Sequence, residues 1–270
     1  MTLDLSKLWD FSKPELSEER FRAALQTASA DEALILQTQI ARTYGIRGDF
    51  SQAMQILASI EPQLQTASPE VRTRYHLELG RTYSSATHPP ESQTGEARAL
   101  ARSAFLRAFE LAQKSKLDSL AIDALHMMCF VDTAPEDQLE WNRKALALME
   151  ASSQPDARKW AGSLHNNTGY ALHLLGHYDE ALHEFERALE AYEQNGNPGN
   201  IRIAHWMIAW NLRAMGRLDE ALEIQLRLER ENDQAGEPDP YVFEELEHIY
   251  KALEEPDKAE FYADRRKSSL

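Results

Sequence analysis

Cysteine is nearly absent from this sequence, which has one, Cys129, among its 270 residues. No disulfide can therefore form within the chain, and a lone thiol fits a reducing compartment. Cys129 lies in an apolar stretch, which predicts a buried and unreactive thiol. No segment approaches the ~18 consecutive apolar residues of a membrane span, and the first ten residues lack the pattern of a signal peptide. The sequence therefore predicts a cytoplasmic protein that does not enter a membrane.

Positive charge and catalytic motifs are also scarce. The formal net charge is −15, and a field of that sign repels phosphate backbones, so nucleic acid is not an expected partner. The chain has no glycine-rich phosphate loop, no G-x-S-x-G nucleophile elbow and no H-E-x-x-H zinc motif. His173 and His177 have helical metal spacing, but His177 follows Gly176 in an expected turn. We therefore expect no enzymatic activity, no metal and no cofactor.

A motif of small residues recurs along the chain and predicts pairs of antiparallel helices. Each copy has a small residue where two helices cross closely, and these residues are Ala41, Gly80, Gly169 and Ala209. An alanine on the following helix completes each crossing, and the alanines are Ala53, Ala101, Ala181 and Ala221. Glycines in left-handed conformation are expected to end three of the first helices, at Gly48, Gly176 and Gly216.

Polar residues beside these segments predict where helices begin. Ser29-x-x-Glu32 and Thr133-x-x-Glu136 have the pattern of capping boxes. Ser68-Pro69 and Asp239-Pro240 each place an N-cap before a proline in the first helical position. Asp49, Asp179 and Asp219 follow the turn glycines and are expected to cap the second helices.

The motif resembles the tetratricopeptide repeat, whose pattern includes L-G-x2-Y and then A-x3-F. Weaker copies centred on His126 and Glu247 bring the total to about six repeats of roughly 40 residues. Units of that length are similar to those of kinesin light chains and bacterial peptide-sensing regulators. The resemblance implies an all-α fold, a right-handed α-solenoid of antiparallel helix pairs.

The expected organisation is a single domain in which residues 1–30 form an N-terminal capping half-repeat and residues 31–270 form the solenoid. The predicted repeats cover 31–67, 68–115, 116–152, 153–196, 197–238 and 239–270. Residues 84–95 contain Pro89-Pro90 and interrupt the second repeat between its helices. This segment is either a tolerated surface insertion or a loop that contacts a partner.

The resemblance implies a concave groove lined by the first helices, and two groups of residues fall at its groove positions. The first group is Asn166, Asn167, Tyr170, Trp206 and Trp210. Aromatic residues with polar neighbours are typical of binding hot spots, although the tryptophans could instead fill the packing between repeats. The Asn166-Asn167 pair resembles the asparagine pair of kinesin light chain repeats, where such amides can bond a peptide backbone.

The second group is Arg42, Arg74, Arg81 and Asp123, and its guanidinium groups suit a carboxylate. It does not match the two-carboxylate clamp of chaperone-binding tetratricopeptide domains, because Thr38 and Arg42 stand at clamp positions. The resemblance therefore implies a scaffold that binds a protein or peptide of unknown identity. The alternative is a ligand- or peptide-sensing regulator, and self-association through a terminal repeat is a further possibility.

Overall fold

A computed structural model describes residues 3–269, and within that range the regular secondary structure is helical, with no strand. The α-helices are α1 (Pro14–Ala24), α2 (Ala30–Ile46), α3 (Phe50–Ile60), α4 (Pro69–Tyr83), α5 (Gly95–Lys114), α6 (Asp118–Met128), α7 (Pro135–Ala151), α8 (Pro155–Arg158), α9 (Ala161–Leu174), α10 (Tyr178–Asn195), α11 (Pro198–Ala214), α12 (Leu218–Ala235), α13 (Pro240–Ala252) and α14 (Pro256–Ser268). The predicted all-α fold of stacked helix pairs is confirmed. None of the described helices is both long enough and apolar enough to cross a membrane.

Several helix starts follow the capping predictions. Ser29 and Glu32 form a reciprocal capping box at α2. Ser68 accepts a hydrogen bond from the backbone N–H of Val71 at the start of α4. Asp239 caps α13 in the same way, and Asp49 caps α3. Side-chain acceptors therefore satisfy N–H groups that the helices themselves leave without partners.

Three capping predictions were wrong. The N-cap of α7 is Ala134, which has no capping side chain, because the helix begins at Pro135 and leaves Thr133 outside. Asp179 and Asp219 lie inside the first turns of α10 and α12. There they are near the positive end of the helix dipole but do not cap it.

Two close helix crossings require glycine, because any side chain there would collide with a ring of the facing helix. A Cβ atom added at Gly80 would lie 2.3 Å from the ring of Phe105, and one at Gly169 would lie 2.7 Å from Phe185. Both rings are fully buried, so the predicted close contacts are made largely by phenylalanine, with the alanines beside them. Gly48, Gly176 and Gly216 have φ values of 77°, 79° and 76°, which confirms the predicted left-handed ends.

The chain divides into two compact units, Met1–Arg158 and Lys159–Leu270. In unit 1, α2 packs on α3 and α4, and α5 packs on α4 and α6. Its cores are built around Leu57 and Val71, around Phe105 and Met128, and around Phe21 and Leu36. The domain and repeat boundaries expected from the sequence remain predictions.

In unit 2, α9 packs on α10, α11 on α10 and α12, and α13 on α12 and α14. One core contains Leu228, Phe243 and Leu246, and a second contains Ala188 and Tyr192. In these pairs, α9, α11 and α13 are the first helices, and α10, α12 and α14 are the second. Each second helix covers one side of its first helix and leaves another side of that helix uncovered.

The segment between α4 and α5 packs back onto unit 1. The imidazole of His88 stacks on Phe50 with ring centroids 3.7 Å apart. The hydroxyl of Thr87 donates to the carbonyl of Gly45 at 3.0 Å, and that of Ser84 donates to the carbonyl of Phe130 at 3.0 Å. The segment is thus an inter-helix insertion, as predicted, and its own contacts tie it to the neighbouring helices.

Candidate functional site

Four ring-bearing residues form a connected face on α9 and α11, called here the aromatic face: Tyr170, His173, Trp206 and Trp210. The Trp210 ring stacks on His173, with centroids 3.4 Å apart, and on Tyr170 at 5.8 Å. Trp206 continues the stack at 6.0 Å from Trp210. Trp206 and Trp210 share a helix face because they are four residues apart, and α9 supplies the other two rings.

Hydrogen bonds hold two members of the aromatic face in place. His173 Nδ1 lies 2.8 Å from the side-chain oxygen of Asn211, whose amide group donates to the carbonyl of Tyr178. Burial lowers the pKa of His173, although the hydrogen bond between its Nδ1 and the accepting oxygen of Asn211 opposes that change. The Trp206 indole N–H donates to the carbonyl of Tyr241 at 3.3 Å. These bonds fix the ring orientations before any partner arrives.

The members of the aromatic face differ in solvent exposure. Tyr170 is 42% exposed, whereas both tryptophans are half-buried. The contact between Tyr170 and Trp210, which was predicted from their equivalent positions in neighbouring repeats, is present. The tryptophans also pack against neighbouring helices, so each has a structural role as well as an accessible edge. Whether these rings bind a partner stays a prediction.

Asn166 lies one helical turn before Tyr170 on α9, on the same side of the helix. Its side-chain oxygen is buried and has no hydrogen-bond partner within residues 3–269. Asn167 follows it and is half-buried. Burying an amide oxygen without a donor is unfavourable by about 1–3 kcal/mol.

The second predicted group lies in unit 1, where Arg81 and Asp123 form an ion pair. Arg81 Nη2 is 2.5 Å from Asp123 Oδ1, and Arg81 Nη1 is 2.7 Å from Glu78 Oε1. Asp123 and Glu78 are 4% and 3% exposed. Burial alone would lower the pKa of Arg81, but the two carboxylates outweigh burial and raise it. Arg81 and Asp123 thus neutralise each other inside unit 1.

The other two arginines differ in their surroundings. Arg74 pairs with Glu70 at 2.9 Å on the same helix. Arg42 lies over the rings of Trp9 and Phe11, at 5.6 and 5.4 Å from their centroids. It forms no salt bridge with any residue in the part of the chain that the structure describes. Burial, and then the nearby charge of Arg81, lower the pKa of Arg42. The carboxylates of Glu78 and Asp123 act on the pKa of Arg42 in the opposite direction. Arg42 thus differs from Arg81 and Arg74 in forming no salt bridge within the described residues.

The residues before α1 cover Arg42 and escaped sequence reasoning. Trp9 stacks on Phe11 at 4.5 Å, and its indole N–H donates to the side-chain oxygen of Gln39 at 3.0 Å. His173 was considered only as a metal ligand, and its stacking on Trp210 was missed. Two aromatic residues, Trp9 and Phe11, in the segment expected to form the N-terminal capping half-repeat were the available signal for the first. For His173, its position three residues after Tyr170 was the signal.

Within residues 3–269, no group of three or more histidine, cysteine, aspartate or glutamate side chains is arranged to hold a metal ion. Cys129 is buried, and burial raises the pKa of its thiol to about 12. This confirms the predicted buried thiol, which stays protonated and therefore unreactive near neutral pH.

The segment that carries the aromatic face also matches a known family model. Residues 160–229, which hold α9, α10, α11 and most of α12, match the model described as tetratricopeptide repeat. The match covers 70 of the 270 residues, and the part of the chain that the structure describes has a fold of stacked helix pairs. No curated protein matches the chain by sequence.

Solved structures with the same fold come from distant sequences. A signal transduction ATPase with numerous domains from Pyrococcus horikoshii, which has a tetratricopeptide repeat sensor, superposes with a TM-score of 0.69 at 12% identity. That match covers 94% of this chain, which spans only 39% of the length of the archaeal protein.

Two further structures agree on the fold. Aspartyl phosphate phosphatase F from Bacillus subtilis has a TM-score of 0.63 at 17% identity, over 98% of this chain and 68% of its own. A Rap protein complexed with competence and sporulation factor has a TM-score of 0.63 at 14% identity, over 98% and 75%. At these identities the similarity establishes the fold.

Proposed function

We propose that this protein is a non-catalytic scaffold that binds an extended segment of another protein, or a peptide, on the first helices of its repeats. The observation that carries the proposal is the combination on α9. There, the exposed ring of Tyr170 joins the aromatic face, and the unpaired oxygen of Asn166 lies one turn away. An extended peptide has both an apolar side chain for the rings and a backbone N–H for the oxygen.

In unit 1, Arg42 is the residue we propose for an acidic group of a partner. Arg81, Arg74 and Asp123 already have charged partners within the chain, so a ligand would have to break those ion pairs to bind them. Arg42 forms no salt bridge within the described residues that a ligand would have to break. A carboxylate that reached Arg42 would form a charge-assisted hydrogen bond beside the rings of Trp9 and Phe11.

The second candidate is a peptide-sensing regulator, and the structural similarity to the Rap protein bound to competence and sporulation factor favours it. In that case the ligand would be a free peptide, and binding would alter the affinity for a second protein. A heat-stable small molecule in a cell extract would then raise the melting temperature of the protein. A scaffold would instead be stabilised by a macromolecular partner.

We further infer a cytoplasmic location, in keeping with the single buried thiol, and partners other than nucleic acid, in keeping with the net charge of −15. Self-association through a terminal repeat remains part of the proposal. Light scattering over a hundredfold range of protein concentration tests it, because a dimer would double the measured mass.

The binding proposal is tested by selecting ligands from displayed random dodecapeptides and measuring their affinity by fluorescence anisotropy. We expect Tyr170→Ala and Asn166→Ala each to weaken the selected peptides at least tenfold. Leu100→Ala is the matched control, because Leu100 is a 44% exposed leucine on α5, away from α9 and α11. If no peptide is selected, or if the Tyr170 and Leu100 variants bind alike, the proposal is wrong.

A further inference from the structure

A cavity of about 630 Å³ lies beside the aromatic face, between α11 and α13 of unit 2. Its walls include Ile203, Trp206 and Met207 from α11, and Tyr241 and Val242 from α13. Its volume lies in the range of pockets that hold small organic ligands. Ile203 is 53% exposed and Tyr241 is 66% exposed, so two large apolar side chains at the cavity face solvent. Exposed apolar surface grouped in this way is typical of a binding site.

One polar side chain in the wall of this cavity has no partner. Asn232 of α12 lines the cavity and is 5% exposed. Its carboxamide makes no hydrogen bond with any residue in the range 3–269, and its polar atoms are not among the fully buried ones without a partner. The donor and the acceptor of this amide are therefore both accessible to a ligand. A peptide group is the ligand group that matches both.

The charge around the cavity favours a cationic neighbour. Unit 2 contains 22 aspartate and glutamate residues against 12 lysine and arginine residues. Glu237 and Asp239 line the cavity together with Arg202, so the charged residues of the lining have a net negative charge. The Glu237 side chain is 71% exposed, and its carboxylate is 3.6 Å from Arg202 in a loose ion pair. Surfaces of one sign attract ligands of the other and disfavour those of the same sign.

We propose that this cavity is an anchor pocket for one bulky apolar side chain, of the leucine or phenylalanine class, in a bound peptide. The Asn232 carboxamide bonds the peptide group next to that side chain, and a lysine or arginine at the adjacent position faces Glu237. The inference rests on the proposed function, since Trp206 belongs both to the aromatic face and to the cavity wall. It adds a sequence preference that the aromatic face alone does not define.

The test follows the Trp206 indole N–H by NMR of 15N-labelled protein. The chain has five tryptophans, so the indole region contains few signals, and Trp206→Phe identifies the relevant one. The probes are the dipeptides acetyl-Leu-Lys-amide, acetyl-Ser-Lys-amide and acetyl-Leu-Glu-amide. We expect a saturable shift with the first probe. The serine probe should bind at least tenfold more weakly, and the glutamate probe about threefold more weakly.

Three variants separate the pocket from the rest of the surface. Ile203→Trp fills the mouth of the cavity at an exposed position and should abolish the shift. Leu174→Trp makes the same change on α9, at a residue that does not line the cavity, and should leave the shift intact. Asn232→Leu keeps the volume, removes the carboxamide and should weaken acetyl-Leu-Lys-amide at least fivefold. Circular dichroism confirms that each variant is folded.

The outcomes distinguish this inference from the proposed function. If the leucine and serine probes bind alike, or if Ile203→Trp and Leu174→Trp behave alike, the anchor pocket is overturned, even when selected peptides still depend on Tyr170. If acetyl-Leu-Lys-amide saturates the Trp206 signal while Tyr170→Ala leaves the selected peptides unaffected, the pocket stands and the aromatic-face proposal is wrong.

Discussion

At the scale of single residues, two close helix crossings each depend on a glycine that lies against a large side chain. Gly80 lies against Phe105 and Gly169 lies against Phe185, and both rings are fully buried. The ring occupies the space in which a Cβ atom would stand. These two glycines are therefore required by packing, whereas the glycines of the turns are required by backbone conformation.

We expect Gly80→Ala to lower the free energy of unfolding by about 1–3 kcal/mol, because the buried Phe105 ring cannot move away freely. Gly45→Ala is the matched control, since a Cβ atom there meets nothing within 4 Å. It should raise the free energy of unfolding by about 0.5–1 kcal/mol, as alanine favours helix. Urea unfolding measures both, and equal effects would show that the Gly80 contact is not tight.

A second residue-scale prediction concerns pH. Burial, and to a smaller extent the charge of Arg107, lower the pKa of His76 from 6.5 to about 4. The unfolded chain therefore binds a proton between pH 6.5 and pH 4 that the folded chain does not. Stability falls as the pH drops through that window, by on the order of 1–2 kcal/mol for a half-buried group. His76→Gln should flatten this part of the stability curve.

The control for that measurement is His183→Gln, which changes an exposed histidine on α10. Chemical unfolding at half-unit pH steps gives the two slopes. If both variants keep the slope of the parent protein, the acid sensitivity arises elsewhere, and burial of His173 and His205 becomes the next explanation, because it also lowers their pKa values.

At the scale of secondary-structure elements, four of the turns between paired helices share one backbone conformation. Gly48, Gly176 and Gly216 have φ values between 76° and 79°, and the equivalent turn between α13 and α14 has Glu254 at φ 60°. A side chain at positive φ is strained by contact between its Cβ atom and the backbone. The last helix pair thus has a less favourable turn than the pairs before it.

Glu254→Gly should relieve that strain and raise the free energy of unfolding by about 1 kcal/mol. Glu255→Gly is the control, because Glu255 has φ −108° and gains nothing from glycine. Thermal unfolding of the two variants compares them directly. A gain in both, or in neither, would mean that the turn conformation does not limit the stability of this helix pair.

At the scale of the whole molecule, the two units differ in composition as well as in contacts. Unit 2 contains the aromatic face, the cavity and the larger excess of acidic residues, and unit 1 contains Arg42 and the ion pair of Arg81 with Asp123. In helical repeat proteins, stability is close to a sum of contributions from each repeat and its neighbours. A unit with its own cores can therefore fold without the other.

We expect Lys159–Leu270, produced as a separate fragment, to be helical by circular dichroism and to unfold cooperatively. Its cores around Phe243 and around Tyr192 are complete within the fragment. The full chain should then show two thermal transitions, one of which coincides with that of the fragment. A disordered fragment would instead support the single domain that the sequence analysis expected.

Much of the fold could be predicted because the repeat has strict local requirements. Positive φ at Gly176 and close approach at Gly169 each demand glycine, so these residues locate a turn and a crossing. The helix starts were less certain. The pattern placed an N-cap at Thr133, but α7 begins at Pro135. Helix boundaries can shift by one or two residues with little change in free energy.

The candidate site was only partly predictable. Repeat equivalence correctly brought Tyr170 beside Trp210, because equivalent helix positions face the same side. The same reasoning could not tell Arg42 from Arg81, since Arg81 differs in pairing with Glu78 and with Asp123, which lies 42 residues further along the chain. Asn232 was missed because its role depends on a cavity that helices from two repeats enclose.

The sequence by itself determined the helix pairs, their turns and the surface on which the aromatic residues lie, because these depend on local backbone conformation and on helical spacing. Only the tertiary structure decided which charges are neutralised, which polar atoms lack a partner and where a cavity opens. Those properties depend on atoms from distant helices that meet within a few ångströms, and they differ from one repeat to the next.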